Sequence, residues 1–190
     1  MDPLARLFGS NARLKLLRLF LFNDDVSFTT ADAAFRTKTP KESARKEMNV
    51  LMAAGVLKKK SATGAAQYQA SKKFPYYEQL QQFVRTTTSL SDGDIIDTLR
   101  KAGSLRLIVL SGLFTGAIET KVDLMVVGDK LEDRHLESAV RTLEAELGRE
   151  LSFSAFSTED FRYRVGVYDR LVRDLFDYPH RVVLDRIGMK

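Results

Sequence analysis

The sequence predicts an α+β fold in two parts, and three observations carry that prediction. The first is a change of pattern along the chain. Apolar residues recur mainly at helical spacing up to about residue 88, whereas from Leu105 onward short buried-strand runs surround one long amphipathic helix. The second is a hairpin signal directly behind a helix, two short strand-like runs on either side of Ala62, Thr63 and Gly64. The third is charge. Residues 1–88 hold 15 Lys+Arg against 7 Asp+Glu, a balance of +8, while residues 89–190 hold 15 against 18, a balance of −3. A chain of 190 residues fits two small domains. We place them at 1–73 and 94–190, joined by a linking helix and hinge at 74–93.

The N-terminal elements follow in order. In LARLFGSNARLKLLRLFLFN, the residues Leu4, Leu7, Phe8, Leu14, Leu17 and Leu21 fall on one helical face, predicting a short helix, a Gly-Ser break and a longer helix. After the Asn23-Asp24-Asp25 turn, Ser27 or Thr29 starts a second short helix through Ala34 and Phe35. Thr39 is positioned to cap the next helix, with Pro40 at its first position and Glu42 at its third. Along that helix Ala44, Met48 and Leu51 form an inward stripe, which turns Lys41, Ser43, Arg45, Lys46 and Asn49 outward. Gly55 ends it, and strands at Val56 to Lys60 and Gln67 to Ser71 make the hairpin.

A capped basic helix, a lysine run and a hairpin, in that order, are the parts of a winged helix-turn-helix on duplex DNA. Arg45 suits bidentate contact with guanine and Asn49 with adenine, each worth roughly 1–3 kcal/mol of discrimination. Lys58, Lys59, Lys60 and Lys72 are expected on phosphate, setting register. The tip, Ala62 to Ala66, carries no charge, so readout by the wing is expected to be slight. In the linking segment Tyr77, Leu80, Phe83 and Val84 share one side, which either packs on the first domain or pairs two copies.

Beyond the hinge, Asp94 to Ala102 reads as a short helix, RLIVLSG as a buried strand and KVDLMVVGD as a second. LEDRHLESAVRTLEAELG is a long amphipathic helix and ELSFSAFS a third strand. The tail DRLVRDLFDYPHRVVLD adds a helix and an edge strand from Arg181 to Leu184.

SGLFTGAIETKVDLMVVGD resembles the start of a nucleotidyltransferase domain of the minimal, antitoxin-related type, a likeness extending from about Leu105 to Leu184. In that family a Gly-Ser turn holds phosphate and two Asp, one residue apart, hold divalent metal. Gly112 keeps the glycine, but Leu113 stands in the serine position; Asp123 matches the second Asp, while Lys121 replaces the first. Where a third carboxylate is expected the chain has Ser152 and Ser154, and Glu119 and Asp129 are badly spaced to substitute. Metal-assisted phosphoryl transfer needs clustered oxygen ligands. The resemblance therefore implies a mixed-sheet scaffold without catalytic residues, metal or cofactor, in which Asp123 caps or solvates a strand end. A winged helix of ArsR/MarR type followed by such a domain, together with EDFRYRVGVYDRLVRD near the end, resembles a set of small prokaryotic transcriptional regulators.

The chain has no Cys and no Trp, so disulfides, thiolate metal sites and cysteine nucleophiles are excluded. His135 and His180 are the only imidazoles, expected at the surface or at caps. No apolar run approaches the roughly 20 residues of a membrane span, and no signal-peptide cleavage pattern is seen, so a cytoplasmic protein without membrane partners is expected. The expected function is sequence-specific binding of double-stranded DNA by a homodimeric regulator, whose two reading helices would lie about 34 Å apart. Its second domain would serve dimerisation or sensing of a small-molecule ligand. The alternative is an active Mg²⁺-dependent nucleotidyltransferase acting on protein or RNA.

Overall fold

The computed structural model describes residues 3–60, 64–116 and 119–189. The expected hairpin-tip residues Ala62 and Thr63 lie outside them. The fold is α+β, with two separate sheets, of which the second is mixed. The chain groups into two compact units: Met1–Leu90 with Arg141–Arg149, and Ser91–Val140 with Glu150–Lys190.

In the first unit, α1 (Pro3–Leu7) and α2 (Asn11–Phe22) are separated by Gly9 and Ser10, and the Ser10 hydroxyl caps α2 by accepting from the Arg13 amide. Helix α2 is the hub. Leu14, Leu16, Leu17, Leu19, Phe20 and Leu21 are all buried, and α2 packs on α3 (Thr30–Arg36), α4 (Lys41–Ala53) and α5 (Tyr77–Thr87). One predicted face therefore understates it. The stripe also fails at its start, where Leu7 is exposed because α1 is too short to bury both ends of its pattern.

Strands β1 (Phe28–Thr29), β2 (Leu57–Lys60) and β3 (Gln67–Ala70) pair antiparallel in the order β1-β3-β2, which leaves β2 on an edge. Leu57 faces Ala70 and Lys60 faces Gln67, the register of the expected hairpin. The two-residue β1 was not legible in the pattern. Thr29 does start α3, through a full capping box with Asp32. On α5, Tyr77 and Val84 are buried in the first unit's core, and Phe83 meets Phe8 edge-on at 6.3 Å, so the linking stripe packs on its own unit.

A buried cation lies within this unit. Arg18 on α2 donates from Nε to the Thr88 hydroxyl at 3.0 Å and from Nη1 to the Glu146 carbonyl at 3.0 Å, while Lys15 reaches the Glu146 carboxylate at 2.8 Å. Burying a guanidinium is tolerable only with such partners.

The second unit begins with α6 (Asp92–Leu99), capped by Ser91. Strand β4 (Ser104–Leu110) pairs antiparallel with both β5 (Leu124–Asp129) and β7 (Arg181–Asp185); β5 pairs parallel with β6 (Phe153–Phe156). The order is β6-β5-β4-β7, with β7 on the predicted edge. Parallel pairing needs a crossover, and α7 (Asp133–Leu147) lies in that connection. Leu107, Val109, Met125 and Val127 join Phe161, Val172 and Leu175 of α8 (Thr158–Gly166) and α9 (Arg170–Asp177) in one core. Ile108, Leu110, Leu124 and Val126 are equally closed to solvent, so both faces of the sheet are covered. Helix α8 was not anticipated.

Candidate nucleic-acid interface

Helix α4 sorts its residues as its pattern requires. Ala44, Met48 and Leu51 are buried, while Lys41, Ser43, Arg45, Lys46 and Asn49 are all exposed. Its start differs from expectation. Pro40 is the N-cap and makes no side-chain cap bond; the Thr39 hydroxyl instead donates to the Thr37 carbonyl at 3.3 Å. Lys38, at φ 49, turns the chain through the left-handed region, and Pro40 then enters the helix from extended backbone. Glu42 pairs with Arg45 at 2.9 Å, an exposed contact worth only a few tenths of a kcal/mol, so the guanidinium is readily exchanged to another acceptor.

The lysine run lies on the edge strand β2, where Leu57 is buried and Lys58, Lys59 and Lys60 are exposed. Among the described residues, Lys41, Lys46 and these three lysines have no ion-pair partner. Lys72 differs. Its ammonium lies 3.2 Å from Asp24 and 3.1 Å from Asp25, and the Tyr77 hydroxyl donates to Asp24 at 2.7 Å. That hydroxyl bond, with Lys72 behind it, holds the Asp24 carboxyl below its ordinary range, and burial with the Asp24 bond pushes the Tyr77 phenol up. Lys72 therefore belongs to a turn-closing cluster with Asp24 and Asp25.

One residue that matters here escaped the sequence reading. Glu47 lies on the inward stripe of α4, and its carboxylate accepts from Arg13 Nε at 2.8 Å while Arg13 Nη1 donates to the Phe8 carbonyl at 2.7 Å. This pair ties α4 to α2 and the end of α1. The signal was present: Glu47 is the charged residue at i+3 from Ala44, inside an otherwise apolar stripe. Glu47→Ala is expected to cost about 2 kcal/mol in urea unfolding, because it leaves a largely covered guanidinium short of an acceptor. Glu47→Gln, which keeps an acceptor, should cost less than half as much.

In the second unit the structure brings Gly112, Leu113 and Asp123 together and leaves Lys121 exposed beside them. Asp123 Oδ1 accepts from the Leu113 amide at 2.7 Å and Oδ2 from the Ser152 amide at 2.9 Å. Its backbone is engaged as well, donating to the Ser152 carbonyl at 2.7 Å and accepting from the Ser111 amide at 2.9 Å. Asp123 thus laces the turn after β4 to the segment entering β6. Ser154 is half-buried on β6, Glu119 is exposed, and Asp129 lies at the far end of β5, 2.8 Å from Arg106. Among the described residues no group of three or more His, Asp or Glu side chains is arranged to hold a metal ion.

A groove of about 390 Å³ opens beside Lys121, between Val122 and Leu175 and the residues Arg164 and Asp169. Arg164 is already held by Asp160 at 3.0 Å and Asp169 at 3.1 Å and lies over the Phe156 ring. His135 pairs with Glu132 at 3.0 Å, and His180 lies against Phe176 with its Nδ1 2.9 Å from the Tyr178 carbonyl. Both imidazoles are exposed. No helix among the described residues is long and apolar enough to cross a membrane. Compared with family models, curated proteins and solved structures, the chain matches none.

Proposed function

We propose that this chain is a sequence-specific, double-stranded DNA-binding transcriptional regulator of the winged helix-turn-helix kind, with α4 reading the major groove and β2 anchoring on phosphate. The supporting observation is the presence of two exposed basic surfaces in one unit, the outer face of α4 and the edge strand β2, on a basic half-chain. A polyanion satisfies both at once, because each phosphate contacted releases condensed counterions. Arg45 and Asn49 supply base contacts; Lys41, Ser43 and Lys46 flank them; Lys58, Lys59 and Lys60 set register. Lys72 is left out of this set because two carboxylates already hold it.

The second unit acts as a scaffold of nucleotidyltransferase-like type. Both Asp123 oxygens accept from backbone amides, and Lys121 puts a cation where a second metal ligand would be needed. That supports a non-catalytic reading.

The test is selection of bound fragments from random duplex DNA. Enrichment of a short motif, with affinity falling steeply as salt rises, is expected. Recovery of random fragments at every salt concentration would sink the sequence-specific reading.

A further inference from the structure

Within the first unit, arginines gather where α5 and the residues after α7 pass α2, and the DNA-binding reading does not use them. Arg18 and Phe22 are one turn apart on α2 and so share a face. Helix α5 runs along that face: Gln81 donates from Nε2 to the Leu21 carbonyl at 2.6 Å, and the Thr88 hydroxyl accepts from Arg18 Nε at 3.0 Å. Arg85 stands between these two contacts, at i+4 from Gln81 and i−3 from Thr88, on the same side of α5. Arg149 arrives from the other direction, with its Cζ 5.6 Å from the centre of the Phe22 ring.

Arg149 is fixed there by its backbone. Gly148 has φ +72°, and a Cβ on it would lie 2.6 Å from the Arg18 carbonyl carbon, so glycine lets the chain pass this close to α2. Asn23 Nδ2 ties the pass down, donating to the Gly148 carbonyl at 2.8 Å and to the Leu19 carbonyl at 2.7 Å. The charges around this turn are unequal. Glu146 is taken by Lys15 at 2.8 Å and by Arg18 at 3.5 Å. Among the described residues, Arg85 and Arg149 have no carboxylate within ion-pair distance. Arg149 is half-buried all the same, and burial, with the Arg85 charge nearby, holds its guanidinium below its ordinary range.

We propose that Arg85 and Arg149 form a binding site for a single phosphate group, either inorganic phosphate or the head of a small phosphomonoester. Two like charges brought near each other, one of them partly out of water, are unfavourable in the chain alone and become favourable around an anion. A guanidinium fork meets phosphate oxygens two at a time. A phosphate near its dianionic form balances both charges with one group, which a carboxylate does not. Two arginines on one turn of α2 suit one phosphate, whereas a nucleic-acid backbone calls for a longer row of cations. The inference is independent of the DNA reading.

Thermal unfolding of the full chain, titrated with inorganic phosphate or glycerol 3-phosphate against chloride at matched ionic strength, tests it. A saturable rise in melting temperature is expected, because a ligand that binds only the folded chain stabilises it. Tighter binding of glycerol 3-phosphate would mark an esterified ligand and equal binding a free phosphate, and either supports the site. Arg85→Ala, at an exposed position, and Arg149→Lys, which keeps the charge and loses the fork, should each weaken binding roughly 5-fold or more. Arg45→Ala with Lys46→Ala should leave it unchanged. No saturable shift, a shift indifferent to Arg85→Ala and Arg149→Lys, or variants that lose duplex affinity while phosphate shifts nothing would each overturn the proposal.

Discussion

Gly112→Ala is expected to destabilise the second unit by about 3–5 kcal/mol, a large share of the roughly 5–15 kcal/mol that holds an ordinary domain folded. A Cβ built there lies 2.0 Å from Asp123 Oδ1 and 3.2 Å from the Thr120 hydroxyl, and φ is +49°, in the region that favours glycine. Asp123 has no room to yield. Moving it breaks the bonds from the Leu113 and Ser152 amides together and so loosens the turn after β4 and the entry to β6 at once. Gly116 supplies the control, since it too has positive φ, at 78°, but a Cβ there meets nothing within 4 Å. Gly116→Ala should cost only about 1 kcal/mol, the backbone term alone. Equal shifts for the two variants in thermal unfolding would mean that the contact with Asp123 contributes nothing.

Arg45→Ala combined with Lys46→Ala is expected to lower affinity for a selected duplex on the order of 100-fold and to flatten the salt dependence by about two counterions. Both side chains are exposed, so the melting temperature should hardly move. Lys72→Ala provides contrast. Its charge is engaged by Asp24 and Asp25, so the salt slope should stay within error of wild type even if the turn loosens. Wild-type footprinting by the double variant would place the reading surface elsewhere than on α4.

Much of the fold was legible because local pattern and burial agree. The stripe of Ala44, Met48 and Leu51, the apolar runs of β4 and β5, and the edge position of β7 all follow from period and from neighbouring turn residues. What escaped depended on partners distant in sequence or on competing local bonds. Glu47 is buried only because Arg13, 34 residues earlier, meets it. Thr39 lost its capping role to the turn before it, where Lys38 adopts positive φ and the Thr39 hydroxyl finds the Thr37 carbonyl. Helix α8 was hidden because its apolar residues mostly face outward; of Phe161, Tyr163 and Val165, only Phe161 is buried.

Of the candidate site, the exposure of the α4 residues was readable from spacing. The engagement of Lys72 was not, since Asp24 and Asp25 approach it from a turn more than 40 residues away. The same holds for Asp123. Sequence assigned it to a strand end, but only the structure shows both of its oxygens taken by two backbone segments.

That lacing has a consequence for how the second unit can vary. A carboxylate whose two oxygens each accept from a different backbone segment belongs to the architecture, so replacing it releases the turn at Gly112 and the entry to β6 together. Gly112 and Asp123 are therefore held as one unit of change, because a side chain added at the first displaces the second. Positions on the outer surface of the unit carry no such tie and can be exchanged one at a time.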